Sequence, residues 1–562
     1  MSSLSRFAVV AVVAAFLFPH DVHAAKQTVC TITVNSSDER EVFRRSLPAN
    51  QFEFVELVER GRPDWLASAC QKGVRCDALL ISGHFDGGDE FYSDRVDARE
   101  SLPVDEMERA SCSDSCPGLF SQLKEVYLFG CNTLNADALK SVSAEAVRSL
   151  IRSGHSPADA ERLAQVLNER HAGSNRARMR QIFKDVPVIY GFSSKAPLGR
   201  SAGPVLERYF QEGGAGEVAS GRVSGKLLAL FAPVSMTVTA GSTDRDAQAG
   251  YRSDVCRFAD DRLSTEQKLA FVHQLLGRDM AEVRMFLDHL EKYATAVAIS
   301  VRESPAAAKA LEAITDDRPA RDRYLEFVRD ADHPAVRARM IRLAARLGWL
   351  TADEKHAELV RMIESRLDRS DVGDEDIDLV CTLNADHALD DAVQGLKLTA
   401  ARLNRVGSAG LFACLGNPLA HARVLKALSS ASAAEVAIAQ VYLRHRPIVD
   451  VRELRVVAVA IARMKNAEAQ VRALDTLARH QLADHESLEV LTRLFPATRS
   501  IDVQRAIAGI LIRADYSSIA KPDLVQALSK HRLKSSDGRD LIDVLIRRLQ
   551  ANLAPAAEPE AS

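Results

Sequence analysis

Three apolar runs restrict what the first half of this chain can fold into. They read "CDALLISGH" (76–84), "EVYLFGC" (125–131) and "VPVIYGF" (186–192). Each is short, continuously hydrophobic and bounded by polar residues, the pattern of a strand covered on both faces. Other β-rich runs accompany them. "TVCTITV" (28–34) reads as a first strand, "FEFVELV" (52–58) as a second, and "KLLALFAPVSMTVTAG" (226–241) adds a final one. Between them, "SSDEREVFRRSL" carries capping residues and helical spacing, and "RPDWLASAC" predicts a short helix. Strands that alternate with helices imply an α/β domain, a mostly parallel sheet flanked by helices, over residues 26–245.

The character changes after about Asp260. From 260 to 552 the sequence is rich in Ala, Leu and Arg, with helical periodicity and hardly any β signal. "LSTEQKLAFVHQLL" opens on a capping pattern, Ser264 followed three residues on by Gln267. "HPAVRARMIRLAARLG" at 333, "AEAQVRALDTLARH" at 467 and "SIDVQRAIAGILIRA" at 500 share a polar helix start, Val and Arg close together, and one apolar face. Such stretches resemble degenerate HEAT-type repeats in an all-α domain, an irregular helical bundle being the plainer alternative. "SDVGDEDID" (370–378) reads as a solvated loop, and 553–562 as a disordered tail.

The N-terminus bears on compartment. Arg6, the apolar run "AVVAVVAAFLF", and Val22 and Ala24 in "VHA" lay out a secretory signal peptide over 1–24. The run is short of the roughly 20 residues a membrane span needs. The expectation is an exported protein, periplasmic or secreted, with no stable membrane anchor after cleavage. Net charge is −3 without a basic run, so nucleic acid is not an expected partner.

An exported chain can form disulfides, and nine cysteines leave one over in a monomer. The sequence suggests the local pairs Cys70 with Cys76 and Cys112 with Cys116, then Cys381 with Cys414 and Cys30 with Cys256. Cys131 is left free. This is one of the roughly 105 pairings open to eight cysteines.

In an open parallel sheet, ligands bind beyond the carboxyl ends of the strands. One buried-type strand ends at His84 and another at Cys131. If these strands are neighbours, as right-handed crossovers favour, the two side chains emerge together. A Cys–His pair needs that proximity, because the imidazole activates the thiol and then protonates the leaving group. A strand ending in His, followed about 50 residues on by a strand ending in Cys, resembles the caspase-like (clan CD) cysteine peptidases. "LFGCNT" is most similar to the CHAT domains of that group, and "VPVIYGFSSKAPLGRSAGPVLERYF" resembles the segment that follows their nucleophile strand.

The resemblance implies a caspase/CHAT-like endopeptidase with Cys131 as nucleophile and His84 as acid and base. Gly83, Phe85, Gly130, Ser193 and Ser194 would form the oxyanion and substrate loops, and a protein or peptide would be the substrate. Two departures stand against it. Phe85 follows His84 where the family usually has Gly, and Leu134 follows "CNT". The alternative is therefore a catalytically inactive pseudo-peptidase acting as an interaction scaffold. The helical repeats would bind a protein partner or, in the peptidase, the substrate. A transpeptidase or other acyl transferase would use the same pair. Asp86, Asp89, Glu90 and Asp94 form an acidic cluster that reads as a solvated loop or as a group orienting the imidazole. The arginine- and alanine-rich insert at 135–184 reads as a lid, a linker or added helices. No cofactor or metal is expected: G-x-S-x-G, Walker and H-E-x-x-H patterns are missing, and "CSDSC" lacks a second ligand pair.

Overall fold

The computed structural model describes residues 26–57, 66–85, 89–93, 100–112, 116, 118–137, 144–171, 173–260, 262–331, 333–391, 395–480, 482, 484–514, 522–534, 538 and 540–553. The expected signal peptide and the tail from 554 on lie outside the described residues. The chain divides into two compact units, residues 1–310 and 311–562. No described helix is long and apolar enough to cross a membrane.

The first unit is built on a six-stranded sheet in the order β2-β1-β3-β6-β7-β8. Its strands are β1 (Gln27–Thr33), β2 (Phe52–Glu56), β3 (Ala78–Ser82), β6 (Glu125–Phe129), β7 (Val188–Phe192) and β8 (Met236–Thr239). All neighbours pair in parallel except β7 and β8, which run antiparallel. The run at 226–241 divides accordingly into a helix and then the edge strand β8. A small antiparallel hairpin, β4 (Glu90–Tyr92) with β5 (Ser101–Pro103), interrupts the alternation between β3 and β6.

Both faces of the sheet are covered, which is why its central strands are apolar throughout. Along β3, Ala78 and Leu80 pack with Val42 and Phe43 of α1 (Asp38–Ser46) and with Leu206 and Tyr209 of α7 (Gly199–Gln211). The same face takes Leu227 and Phe231 of α8 (Gly225–Phe231). Leu79 and Ile81 point the other way. They share a core with Ala69 of α2 (Ala67–Gln71), Met107 of α3 (Val104–Cys112) and Met179 of α6 (Asn175–Ile182). This is the period-2 alternation of a strand buried on two sides.

The insert at 135–184 forms added helices. α4 (Ala144–Arg152) and α5 (Pro157–Arg170) share a small core, Ala146, Leu150, Ala160 and Ala164, with Ala281 of a later helix (Met280–Met285).

All eight cysteines expected to pair are bonded, but three of the four pairings differ from those read locally. The bonds are Cys30–Cys76, Cys70–Cys116, Cys112–Cys256 and Cys381–Cys414. Cys70 lies in the last turn of α2 and Cys112 ends α3, and each is bonded to another element rather than along its own loop. Cys30 lies in β1 one residue pair from where β3 begins to register, and the approach to β3 brings Cys76 beside it. Cys112 reaches the helix at Ala249–Ala259.

The second unit is helical throughout its described residues. Alternate helices stack on each other: 451–462 on 485–497 and that on 522–531, and 467–477 on 501–513 and that on 541–553. Two of the stretches that look alike in sequence also behave alike. Gln470 donates to the Ile461 carbonyl at 2.8 Å, and Gln504 to the Phe495 carbonyl at 3.1 Å. Each is buried and ties its helix to the one before it. Arg455 with Asp484 and Arg505 with Asp540 repeat a second link. The acidic segment at 370–378 is a solvated loop only up to Gly373. Asp374 starts a helix that runs to Leu383, and Asp376 is buried against Arg366 at 2.8 Å, so its charge is paired instead of solvated.

Candidate functional site

β3 and β6 are direct neighbours, with Ser82 opposite Phe129, so the chain leaves both strands at the same edge. His84 follows β3 by two residues and Cys131 follows β6 by two. Both line one small cavity of about 40 Å³, together with Asn35, Ser36, Glu39, Ser82, Gly83, Phe129, Gly130 and the Ala196–Gly199 segment. Cys131 is the one free cysteine and is half-buried. The sheet thus brings together the two residues singled out in the sequence.

Each side chain is held by its own local structure. His84 exchanges backbone hydrogen bonds with Tyr92 of β4, both at 2.9 Å, and its ring lies 5.4 Å from the Tyr92 ring. The hairpin therefore fixes the imidazole from one side. Phe85 turns inward, fully buried, with its ring 4.6 Å from that of Phe91. The phenylalanine that stands where the resemblance expects glycine is thus a core anchor for the His84 turn. Gly130 lets the two strand ends approach: a Cβ there would sit 2.8 Å from Phe85 Cβ and 2.9 Å from the Gly83 carbonyl. Gly83 is spent on the sheet, since its N–H donates to the Phe129 carbonyl at 3.1 Å. Its amide is therefore not offered to an oxyanion.

The turn that presents Cys131 is pinned at several points. Asn132 has φ 59°, in the left-handed region that Asn tolerates better than most side chains. Its N–H donates to the Ser194 carbonyl at 2.7 Å, and its carbonyl accepts from Asn175 Nδ2 at 3.0 Å. Thr133, fully buried, donates to the Gly130 carbonyl and accepts from the Phe192 N–H. Asn175 belongs to α6, so the insert contributes directly to the shape of this turn.

Ser193 and Ser194 do not line the cavity. Their hydroxyls bond Ser235, at 3.3 Å to its carbonyl and 2.8 Å to its hydroxyl respectively. Ala196, Pro197, Leu198 and Gly199 form the wall instead, and the Ala196 N–H donates to Cys131 Sγ at 3.3 Å. Of the acidic cluster after His84, Asp86 and Asp94 lie outside the described residues, as do Gly87 and Gly88. Asp89 is exposed and faces Arg178 of α6 at 3.4 Å, not the imidazole.

Sequence reading passed over Glu39. It is 3 % exposed and lines the same cavity as His84 and Cys131. Among the described residues neither its Oε2 nor the buried Ser82 hydroxyl has a hydrogen-bond partner. Burial pushes its carboxyl up to about 7, and neighbouring Asp38 adds to this against the pull of its own backbone amide and of Ser82. A signal was there: Glu39 stands three and four residues before Val42 and Phe43, within the apolar stripe of α1.

A free thiol, an imidazole and a protonatable carboxyl on one cavity can support attack on a carbonyl and the proton transfers that follow. Comparison with known proteins adds no family to this description: no family model, curated protein or solved structure matches the chain.

Proposed function

We propose that the first unit carries a cysteine acyl-transfer site of caspase/CHAT-like kind and acts as an endopeptidase on a protein or peptide. The observation that carries this reading is the placement of His84 and Cys131 at the ends of adjacent parallel strands, on one cavity, with Cys131 the free thiol. Cys131 gives its proton to His84, and Sγ attacks the peptide carbonyl carbon. The tetrahedral oxyanion collapses to a thioester as the amine leaves with the proton from His84. Water, deprotonated by His84, then releases the acid and restores the thiol. The Cys131 backbone amide, at the strand end, is the donor best placed for the oxyanion now that the Gly83 amide is committed to Phe129.

In the second unit the stacking of alternate helices and the repeated glutamine link support a HEAT-like array, a surface suited to holding a protein partner or the substrate. Four disulfides suit an oxidising compartment and hence export. The test is a peptide-library cleavage profile with the full chain. Cys131→Ala is expected to abolish cleavage; activity equal to wild type would refute the assignment.

One observation favours a second reading, an inactive pseudo-peptidase scaffold. The Ala196–Gly199 wall leaves a cavity of only about 40 Å³, with the Ala196 amide set against the thiol. Under that reading no peptide in the library is cut, and wild type and Cys131→Ala are indistinguishable in partner capture.

A further inference from the structure

The carboxyl of Glu39 has no part in a Cys–His mechanism, yet it is enclosed with that pair. Three observations on different elements converge on it. Glu39 comes from the first turn of α1, His84 from the end of β3 and Cys131 from the end of β6, and all three line the same cavity. The carboxyl is almost wholly buried, and Oε2 makes no hydrogen bond of ordinary geometry, the Ser82 hydroxyl being its polar neighbour. Buried carboxyls are ordinarily hydrogen-bonded, because an unpaired polar atom removed from water is costly.

We propose that Glu39 is a positioning residue of the Cys131 site, whose carboxyl charge sets the ionisation of the His84–Cys131 pair. This deepens the acyl-transfer reading and rests on it for its catalytic meaning, but not for its test.

The argument is electrostatic. When the pair loses either of its protons, the site becomes more negative by one charge. A carboxylate enclosed with it opposes both losses, so both macroscopic midpoints of the pair rise once Glu39 is ionised. The effect is strong where water is excluded and weak where it is not. The charged groups around Glu39 leave room for such coupling. Asp38 on its own turn carries the same sign. His84 and Cys131 line the same cavity from the β3 and β6 ends, and α7 contributes only Gly199 to the wall. Lys195 and Arg200, to either side of that wall, are exposed. Glu39 goes from neutral to charged near pH 7, inside the working range of a Cys–His pair.

The test uses the full chain and iodoacetamide, a neutral alkylator, with labelling at Cys131 followed by mass spectrometry between pH 5 and 9. Cys131 is the one free cysteine, so the readout is specific. In Glu39→Gln the midpoint of alkylation is expected to fall by about one pH unit, a tenfold gain in rate below the midpoint. Glu39→Asp should return it toward wild type. Coincident profiles for wild type and Glu39→Gln would overturn the proposal.

If Glu39→Gln does not fold, the wild-type protein serves. The carbon-13 carboxyl shift of Glu39 is titrated before and after Cys131 is alkylated. Coupling predicts that the Glu39 midpoint moves once the thiol has become a thioether that no longer titrates; an unchanged midpoint overturns the proposal. Cleavage is not needed for either readout. A shifted profile without peptidase activity would refute the endopeptidase reading alone. Activity with an unshifted profile would refute this one alone.

Discussion

A carboxyl raised to about 7 costs the folded state something that a neutral side chain would not. Glu39 titrates near 4.5 when unfolded and near 7 when folded. Between those values the folded protein holds the extra proton, so stability declines as pH rises and the loss is complete above about 7. Below about 4.5 both states are protonated and the loss vanishes. Glu39→Gln is therefore expected to stabilise the protein at pH 8, by up to about 3 kcal/mol at roughly 1.4 kcal/mol per unit, and to leave it unchanged at pH 4. Urea unfolding at the two pH values checks the difference. Equal stability at pH 8 would mean that the carboxyl pays nothing for its burial. A carboxyl buried at a cost to folding stability is the kind of feature that marks functional sites at the scale of one side chain.

At the scale of elements, the site is a junction between strand ends and the insert. Asn175, at the start of α6, gives its Nδ2 to the Asn132 carbonyl, and the Asn132 N–H bonds the Ser194 carbonyl. In Asn175→Ala the carbonyl loses that donor and keeps the Asn135 N–H at 3.1 Å, at an expected cost of about 0.5–1.5 kcal/mol. Hydrogen exchange at the Asn132 amide should quicken, while that in the centre of β6 stays slow; no change at Asn132 would place the insert outside the site. The sheet and its two chemical ends were legible because two-sided burial writes itself as unbroken apolar runs, and because parallel crossovers favour neighbouring strands. Of the disulfide pairings only Cys381–Cys414 was legible. The others depend on which residues face each other after the helices pack, as Cys112 and Cys256 do across 144 residues. The bonds of Ser193 and Ser194 were not legible for a similar reason, since Ser235, distant in sequence, takes their hydroxyls. Glu39 was legible in its helical spacing, but a charged residue on an apolar stripe draws notice only once the strand opposite is known.

At the scale of the whole molecule, the four disulfides divide with the two units. Cys30–Cys76, Cys70–Cys116 and Cys112–Cys256 lie within the first, and Cys381–Cys414 lies within the second. Covalent reinforcement is therefore local to each unit. Cys381 and Cys414 are fully buried and join the helices at Asp374–Leu383 and Val406–Cys414. Closing a loop across 33 residues is worth about 3–4 kcal/mol in the chain-entropy account. The double variant Cys381→Ala, Cys414→Ala should lose about that much, together with some packing from the two sulfurs. Hydrogen exchange should rise through the helices after 311 and remain low in β3 and β6, and the rate of Cys131 alkylation should not change. If the sheet loses protection as well, the two units share one cooperative transition and the His84–Cys131 site depends on the helical array for its stability. If it does not, the first unit holds His84, Cys131 and Glu39 in place with its own core and its own three disulfides.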